Sequence, residues 1–305
     1  WLCFLLPAAL LAAPGWEQHG ELAVYLIGLH LELVVGTPFL WIGDTGWGMI
    51  QQLTREEVDE YLDKRQALGF TVIQAVAHWS PHGGGLDRSP DNAANAFGHR
   101  PFSGEENAPD TSQPLVVNGG SSRSPNDYWD HVDYVVEAAR KRGLYLALLP
   151  TWGAQLITAS EEYNDDEARV YGEFLGKRYG DEPHIVWVLG GDTRAQFRGY
   201  DKNQKFSEYD YRAVYRAMAE GIAQGATGQQ LAWNREDPAW DELIFTYHPN
   251  GDYPYGSAQW FHEDAWLDVN GVEVWKEVDD VYRAMVDDYQ RDDPVKPSLF
   301  LEGSY

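Results

Sequence analysis

The sequence predicts an α/β fold of the (β/α)8 TIM-barrel class, and three observations predict it. A helix that ends at a glycine and leads into an apolar strand occurs three times along the chain. The strands of these units are continuously apolar, as expected for a parallel sheet that helices cover on its outer face. The first candidate strand is not followed by a glycine-rich phosphate turn, which argues against the alternative of a doubly wound open sheet.

The three helix–strand units are recognised by their caps. Thr54 and Glu57 have the spacing of a capping box at the start of the first helix. Ser124 and Pro125 are typical of an N-cap and a first-turn proline at the start of the second helix. The predicted helices span residues 54–69, 124–143 and 165–180, and the strands that follow them span 70–77, 144–150 and 184–189.

Four further apolar segments complete the predicted sheet, over residues 38–43, 243–248, 266–270 and 297–302. The sum is seven strands, whereas a TIM barrel has eight strands and ~250 residues. The chain is therefore expected to be a barrel truncated before the eighth strand, with the catalytic domain over 37–305. Residues 15–36 have strand-like composition and predict a short N-terminal β-hairpin that plugs the bottom of the barrel. The long polar segment 80–123 is expected to lie on the top face.

The first residues, WLCFLLPAALLAA, form an apolar run that ends in small residues. This run is shorter than the ~20 residues that span a bilayer, and it is typical of a secretory signal without its charged start. We interpret residues 1–14 as a partial signal peptide and expect a secreted, extracellular protein. The single cysteine, Cys3, lies in this segment, so the mature protein has neither a disulfide framework nor a thiol nucleophile.

The chain carries 48 acidic and 23 basic residues, for a formal net charge of -25. A negative field of this size repels nucleic acids and anionic membrane surfaces, so neither is expected as a partner. The sequence sets no oligomeric state.

Two acidic residues are candidates for catalysis. Active sites of TIM barrels lie at the C-terminal ends of the strands, and Asp192 follows the fourth strand while Glu302 ends the seventh. Hydrolysis of a glycosidic bond requires a proton donor and a second carboxylate on the other side of the sugar. The alternatives are a turn or helix cap for Asp192 and a salt bridge at the rim for Glu302.

Other residues at strand ends are candidates for substrate binding. The aromatic rings of Trp47 and Trp152 suit the flat apolar faces of sugars, although both fit equally well in a core. Asp44 either binds sugar hydroxyls or caps the following helix. His99 and His248 either bind hydroxyls or have structural partners.

Two alternative functions remain open. One is a carbohydrate-binding barrel that keeps the aromatic rim but has no catalysis. The other is a metal-dependent hydrolase that uses His78, His82, His248 and Asp44. The spacing of His78 and His82 is weak evidence for a metal site, because Pro81 and the nearby glycines disfavour a helix. We therefore expect neither a metal nor another cofactor.

The chain resembles the apiosidase-like catalytic domain of glycoside hydrolase family 140. The segments that carry the resemblance cover most of residues 36–305, in order. They are GTPFLWIGDTGW (36–47), LTREEVDEYLDKRQALGFTVIQAVA (53–77), NAFGHRP (95–101), LYLALLPTWG (144–153), YGEFLGKRYGDEPHIVWVLGGD (171–192), TYHPNG (246–251), WFHEDAWLDVN (260–270) and KPSLFLEGSY (296–305).

This resemblance implies a retaining, metal-free (β/α)8 glycosidase that releases apiose-linked units from branched pectin. It implies that Asp192 is the acid/base and Glu302 the nucleophile, and that the partner is an oligo- or polysaccharide. The larger clan of such barrels usually ends the fourth strand in Asn-Glu, whereas this chain has Gly191 and the shorter Asp192. The family commonly has a Gln-Ser-Gly-His-like sequence after the Asp-x-Asn of the sixth strand, whereas GVEVWKEVDD follows Asn270 here.

Overall fold

A computed structural model describes residues 22–24, 31–33, 37–79, 92–106, 108–153, 164–200, 206–253, 255–276 and 278–303. The predicted signal peptide over residues 1–14 lies outside this part of the chain. The strands, in chain order, are β1 (Leu22–Val24), β2 (Leu31–Leu33), β3 (Thr37–Pro38), β4 (Gly43–Thr45), β5 (Val72–His78), β6 (Phe102–Glu105), β7 (Ala108–Pro114), β8 (Tyr145–Thr151), β9 (Ile185–Gly190), β10 (Gln196–Tyr200), β11 (Phe206–Asp210), β12 (Phe245–His248), β13 (Asn270–Val274) and β14 (Ser298–Gly303).

Helices alternate with the parallel strands and lie on the outside of the sheet. They are α1 (Met49–Gln52), α2 (Arg55–Ala67), α3 (Tyr128–Lys141), α4 (Asp165–Tyr179), α5 (Arg212–Thr227), α6 (Ala258–Phe261) and α7 (Val278–Tyr289). In the described ranges, none of these helices has both the length and the apolar character needed to cross a bilayer.

The predicted α/β barrel fold is confirmed. Five parallel strands form one sheet in the order β12-β9-β8-β5-β4, and β13 pairs in parallel with β14. A parallel bridge between Thr246 and Val269 joins the two parts. The strands of the described residues therefore follow one another around the sheet in chain order, as they do in a barrel.

Alternation along the strands divides the core into an inner and an outer layer. Val72, Val76 and Leu149 point to the inside of the curled sheet, whereas Ile73 and Leu148 pack against the helices. The N-terminal hairpin is confirmed as well, because β1 and β2 pair antiparallel and Leu22 packs into the inner layer. This hairpin lies beside the chain that leads into β9 and β12, which is the bottom of the barrel.

Most predicted element boundaries are close to the observed ones, with three exceptions. The first strand of the parallel sheet was predicted over residues 38–43 but lies over Gly43–Thr45. The capping box of α2 is present: Glu57 N–H donates to Thr54 Oγ1 at 3.4 Å, and Thr54 N–H donates to Glu57 Oε2 at 2.8 Å. The second helix was predicted to begin after Ser124, but α3 begins at Tyr128, because the side chain of Asp127 caps its first turn. The sixth strand was predicted over residues 266–270 but lies over Asn270–Val274. Because of that shift, Glu273 lies within the sixth strand and not beyond its end.

Candidate active site

Four titratable side chains converge at the C-terminal ends of four parallel strands. They are Asp192 after β9, His248 at the end of β12, Glu273 in β13 and Glu302 in β14. One side-chain atom of each lies within 4.8 Å of the corresponding atoms of the other three. The structure thus brings the two predicted catalytic carboxylates together, as the convergence of strand ends in a barrel requires.

The turn that carries Asp192 is held in an unusual backbone conformation. Asp192 has a positive φ of 47°, and the glycines before it have φ values of 88° and 118°. A non-glycine residue rarely adopts a positive φ, and Asp tolerates it better than most. The amide of Asn250 donates to the backbone oxygen of Asp192 at 3.0 Å, and the Gly191 N–H donates to the oxygen of His248 at 2.9 Å. These bonds tie the turn to β12 and hold the carboxyl group over the cluster.

A β-bulge places Glu302. Val272 pairs with Phe300, but the next residue, Glu273, pairs with Glu302, so that Leu301 is the extra residue of β14. Gln74 of β5, which is 1% exposed, donates from Nε2 to the backbone oxygen of Leu301 at 2.9 Å. The bulge and this hydrogen bond set the side chain of Glu302 beside that of Glu273.

His248 lies between two glutamates and is fully buried. Its Nδ1 is 3.2 Å from Glu273 Oε2, and its Nε2 is 3.2 Å from Glu302 Oε2. Burial alone would lower the pKa of His248, but the charges of Glu273 and Glu302 outweigh burial and raise this pKa well above 6.5. The Asp192 N–H also faces Nδ1 at 3.4 Å. We assign a proton to Nδ1 because two acceptors, Glu273 and the Pro249 oxygen, lie closer at 3.2 Å.

Asp192 is suited to hold a proton at neutral pH. The pKa of Asp192 is raised to about 8. The largest cause is burial, the next is the charge of Glu273, and Glu302 makes a smaller contribution. The positive charge of His248 acts in the opposite direction. The arrangement therefore pairs a protonated carboxyl group with a carboxylate that faces an imidazolium, which is the combination that acid-assisted bond cleavage needs.

Two tryptophans border this cluster. The rings of Trp47 and Trp152 meet edge to face with centroids 4.9 Å apart, and they lie 5.4 and 5.7 Å from the ring of His248. Both are partly buried and pack on the inner layer of the core. The structure thus brings Trp47, Trp152 and His248 together beside Asp192 and Glu302, where aromatic surface is available to a sugar ring.

Asp44 does not join the cluster. Tyr61 donates to Asp44 Oδ2 at 2.6 Å, and Arg65 forms an ion pair with the same oxygen, so the carboxylate faces α2. The alternative of a helix cap is not observed, because Gly48 is the N-cap of α1. Asp44 lies in the middle of β4 and not after its end, and its side chain points to the outer side of the strand, towards α2.

The other predicted histidines also lie elsewhere. His99 is in the segment before β6, where its backbone N–H donates to Asn95 Oδ1 at 3.1 Å. The buried ring of His78 packs edge to face on Phe102 at 4.9 Å. His82 lies outside the described residues.

The metal set considered from the sequence is therefore not assembled by the part of the chain that the structure describes. Within that part, the four-residue cluster is the group that has the donors and spacing for a cation. His248 would have to lose a proton to act as a ligand, against the effect of its two carboxylate neighbours.

Glu273 is the residue that the sequence did not identify. The predicted sixth strand ended at Asn270, which placed Glu273 beyond the strand end and outside the site. The signal that would have found it is the alternation in the segment Asn270–Val274, where Val272 and Val274 pack against α7 and leave Glu273 on the inner side.

The chain is similar to known proteins in sequence and in fold. A family model described as "Apiosidase-like, catalytic domain" matches residues 28–305. No curated protein matches the chain significantly. Among solved structures, a glycoside hydrolase family 5 protein from Bacteroides vulgatus is 28% identical with a TM-score of 0.71, over 95% of this chain and 55% of its own.

A second solved structure, named only as a glycoside hydrolase, is 26% identical with a TM-score of 0.70, over 95% of this chain and 57% of its own. The chain thus spans little more than half the length of these two proteins. The catalytic domain of a Thermobifida fusca endoglucanase, solved in complex with cellotetraose, is 12% identical with a TM-score of 0.53, over 96% of this chain and 76% of its own. This last similarity concerns the fold alone.

Proposed function

The chain belongs to the family of apiosidase-like catalytic domains, and from that premise we propose that it is a retaining glycoside hydrolase with Asp192 as acid/base and Glu302 as nucleophile. The observation that carries the proposal is the spacing of the two carboxyl groups. An oxygen of Asp192 lies within 4.8 Å of an oxygen of Glu302. Retaining enzymes have carboxyl groups ~5–5.5 Å apart, whereas inverting enzymes need ~6.5–9.5 Å for a water molecule.

In the first step, a carboxylate oxygen of Glu302 attacks the anomeric carbon, and the bond from that carbon to the leaving oxygen breaks. Asp192 gives its proton to the leaving oxygen, and the raised pKa of Asp192, about 8, keeps the proton available at neutral pH. In the second step, Asp192 takes a proton from water, whose oxygen attacks the anomeric carbon and releases Glu302. The positive charge of His248, whose Nε2 lies 3.2 Å from Glu302 Oε2, stabilises the negative charge of Glu302 before the attack.

The substrate that we propose is a glycoside of the pectic side chains of plant cell walls, within glycoside hydrolase family 140. Support comes from the family match and from the aromatic surface of Trp47 and Trp152 beside the cluster. We further propose that the protein is secreted, on the basis of the apolar segment over residues 1–14.

The test compares variants of the two acids in the purified protein that carries this chain. Glu302→Gln is expected to lower kcat on an apiose-containing pectic oligosaccharide by about 1,000-fold or more. Asp192→Asn is expected to lose a similar factor on that substrate but to retain most of the first-step rate on an aryl glycoside, whose leaving group needs no proton. Asp63→Asn removes an exposed carboxylate of α2 and serves as the matched control.

Product stereochemistry is followed by proton NMR, and retention of configuration is expected. Inversion, or full activity of Asp192→Asn on the natural oligosaccharide, would refute the assignment. Binding of glycans without turnover of any of them would instead identify a carbohydrate-binding barrel.

A further inference from the structure

The proposed mechanism uses two acids, yet a third lies between them. Glu273 has a fully buried side chain, whereas Glu302 is 8% exposed and Asp192 is half-buried. Burying a carboxylate is costly unless a positive charge or hydrogen bonds compensate it. Among the described residues, the cation that faces Glu273 is His248, which Glu273 shares with Glu302. A group that is costly to bury and lies beside the reacting atoms requires an explanation.

The position of Glu273 follows from the backbone. The register shift after Val272 makes Glu273, and not its neighbour, the residue opposite Glu302. An unshifted ladder would pair Glu273 with Leu301 and would turn Glu302 away from it, because side chains alternate across a sheet. The bulge therefore brings two acids together, and Gln74 of β5 holds it by a hydrogen bond to the Leu301 oxygen.

The groups that face Asp192 can be named for each packed element. They are Glu273 from β13, His248 from β12 and Glu302 from β14, among the residues that the structure describes. The Tyr247 phenol of β12 is also affected by the charge of Glu273. Burial first, then Tyr215, and last the charge of Glu273 raise the pKa of Tyr247 well above 10, so the phenol stays neutral. Of the two glutamates, Glu273 has the larger effect on Asp192.

We propose that Glu273 is a positioning residue of the glycosidase centre, which through its charge and its 3.2 Å contact with His248 sets the upper pH limit at which Asp192 acts as an acid. The proposal rests on the proposed function. Glu273 adds to the proposed mechanism a charge that is constant through the reaction. The charge of Glu302 disappears when the glycosyl ester forms, whereas the charge of Glu273 stays. Glu273 thus favours the protonated form of Asp192 in both steps, which assists the first step and slows the second at low pH.

The test is the pH dependence of kcat/KM in the protein that carries this chain. Glu273→Gln removes the charge and keeps the shape, and His248 keeps Glu302 as a partner. The alkaline limb, expected near pH 8 in the wild type from the pKa of Asp192, should move down by about 1 pH unit or more. At pH 8, kcat/KM as a fraction of its plateau value should then be about fivefold lower in Glu273→Gln than in the wild type.

Glu273→Asp is the matched control. It keeps the charge but shortens the side chain, so the level of activity falls while the alkaline limb stays in place. An alkaline limb that is unmoved in Glu273→Gln overturns the inference and leaves the proposed function intact. Absence of glycoside turnover by the wild type contradicts the proposed function itself. The two failures are therefore distinguishable.

A second measurement does not depend on the folding of Glu273→Gln. In Glu302→Gln, the Asp192 carboxyl group is titrated by carbon NMR with labelled aspartate. Burial and the charge of Glu273 both remain in this protein, so the pKa of Asp192 should stay well above its ordinary value of 3.8. A return of the Asp192 pKa to about 4 would mean that neither burial nor Glu273 raises it, and would overturn the inference.

Discussion

Gln74→Met is expected to lower turnover much more than stability, because Gln74 supports the bulge that places Glu302. Methionine has nearly the same length as glutamine but cannot donate to the Leu301 oxygen, which Gln74 Nε2 contacts at 2.9 Å. The backbone of β14 is then free to return to a regular register, in which Glu302 no longer lies beside His248.

The magnitudes follow from the contacts that are lost. A buried carbonyl without a donor costs about 1–3 kcal/mol. Part of this cost is offset, because Gln74 Oε1 is buried without a hydrogen-bond partner and is also removed. A net loss of about 1–2 kcal/mol corresponds to a decrease in Tm of about 2–8 °C. A displacement of Glu302 by 1 Å would lower kcat by about 100-fold.

Gln51→Met provides the matched control. Gln51 is also buried, also donates from Nε2 to a backbone oxygen, that of Ala93 at 3.1 Å, and also has a buried Oε1 without a hydrogen-bond partner. It lies on α1 and not in the four-residue cluster.

Both variants should therefore lose similar stability in thermal unfolding, whereas kcat on a glycoside substrate should fall in Gln74→Met alone. Equal kcat values in the two variants would refute the role assigned to the bulge.

Three further predictions concern residues around the cluster. Asp44→Asn should lower the free energy of unfolding by about 1 kcal/mol and leave KM unchanged, because the Asp44 carboxylate pairs with Arg65. A higher KM of this variant in steady-state kinetics would instead indicate that Asp44 contacts the sugar. Gly191→Ala should lower kcat by about tenfold or more, because φ is 118° and a Cβ atom would lie 2.8 Å from the ring of Trp152, whereas Gly119→Ala, with φ of 89° and open space, should lose only stability. Burial lowers the pKa of His184 from 6.5 to about 4, so the folded state binds fewer protons than the unfolded state and stability should be lost as the pH falls from about 6.5 towards 4. Removal of this ionisation in His184→Gln should flatten the plot of Tm against pH over that window, and an unchanged slope would contradict the assignment.

The sequence predicted the parts of the site that depend on chain order alone. Asp192 and Glu302 were placed correctly because the ends of parallel strands meet at one face of a barrel, whatever the details of the strands. The nearby positions of Trp47, Trp152 and His248 follow from the same rule.

The sequence misplaced side chains where the exact bounds of a strand decide which way the side chain points. Asp44 was placed after the first strand, but it lies within β4 and alternation turns it towards α2. The sixth strand was placed four residues too early, and Glu273 was missed as a result. The bulge at Leu301 leaves no trace in the sequence, because Phe300, Leu301 and Glu302 are compatible with a regular strand.

The left-handed turn at Asp192 also limits which acids can evolve at this position. Aspartate is among the few residues other than glycine that tolerate a positive φ, whereas a longer side chain such as that of glutamate gains nothing there to offset the strain. A lineage that exchanged Asp192 for glutamate would need a compensating rearrangement of the adjoining glycines and of Asn250. Drift between the two acids at the end of this strand is therefore expected to occur together with changes in the loop, and not as an isolated substitution.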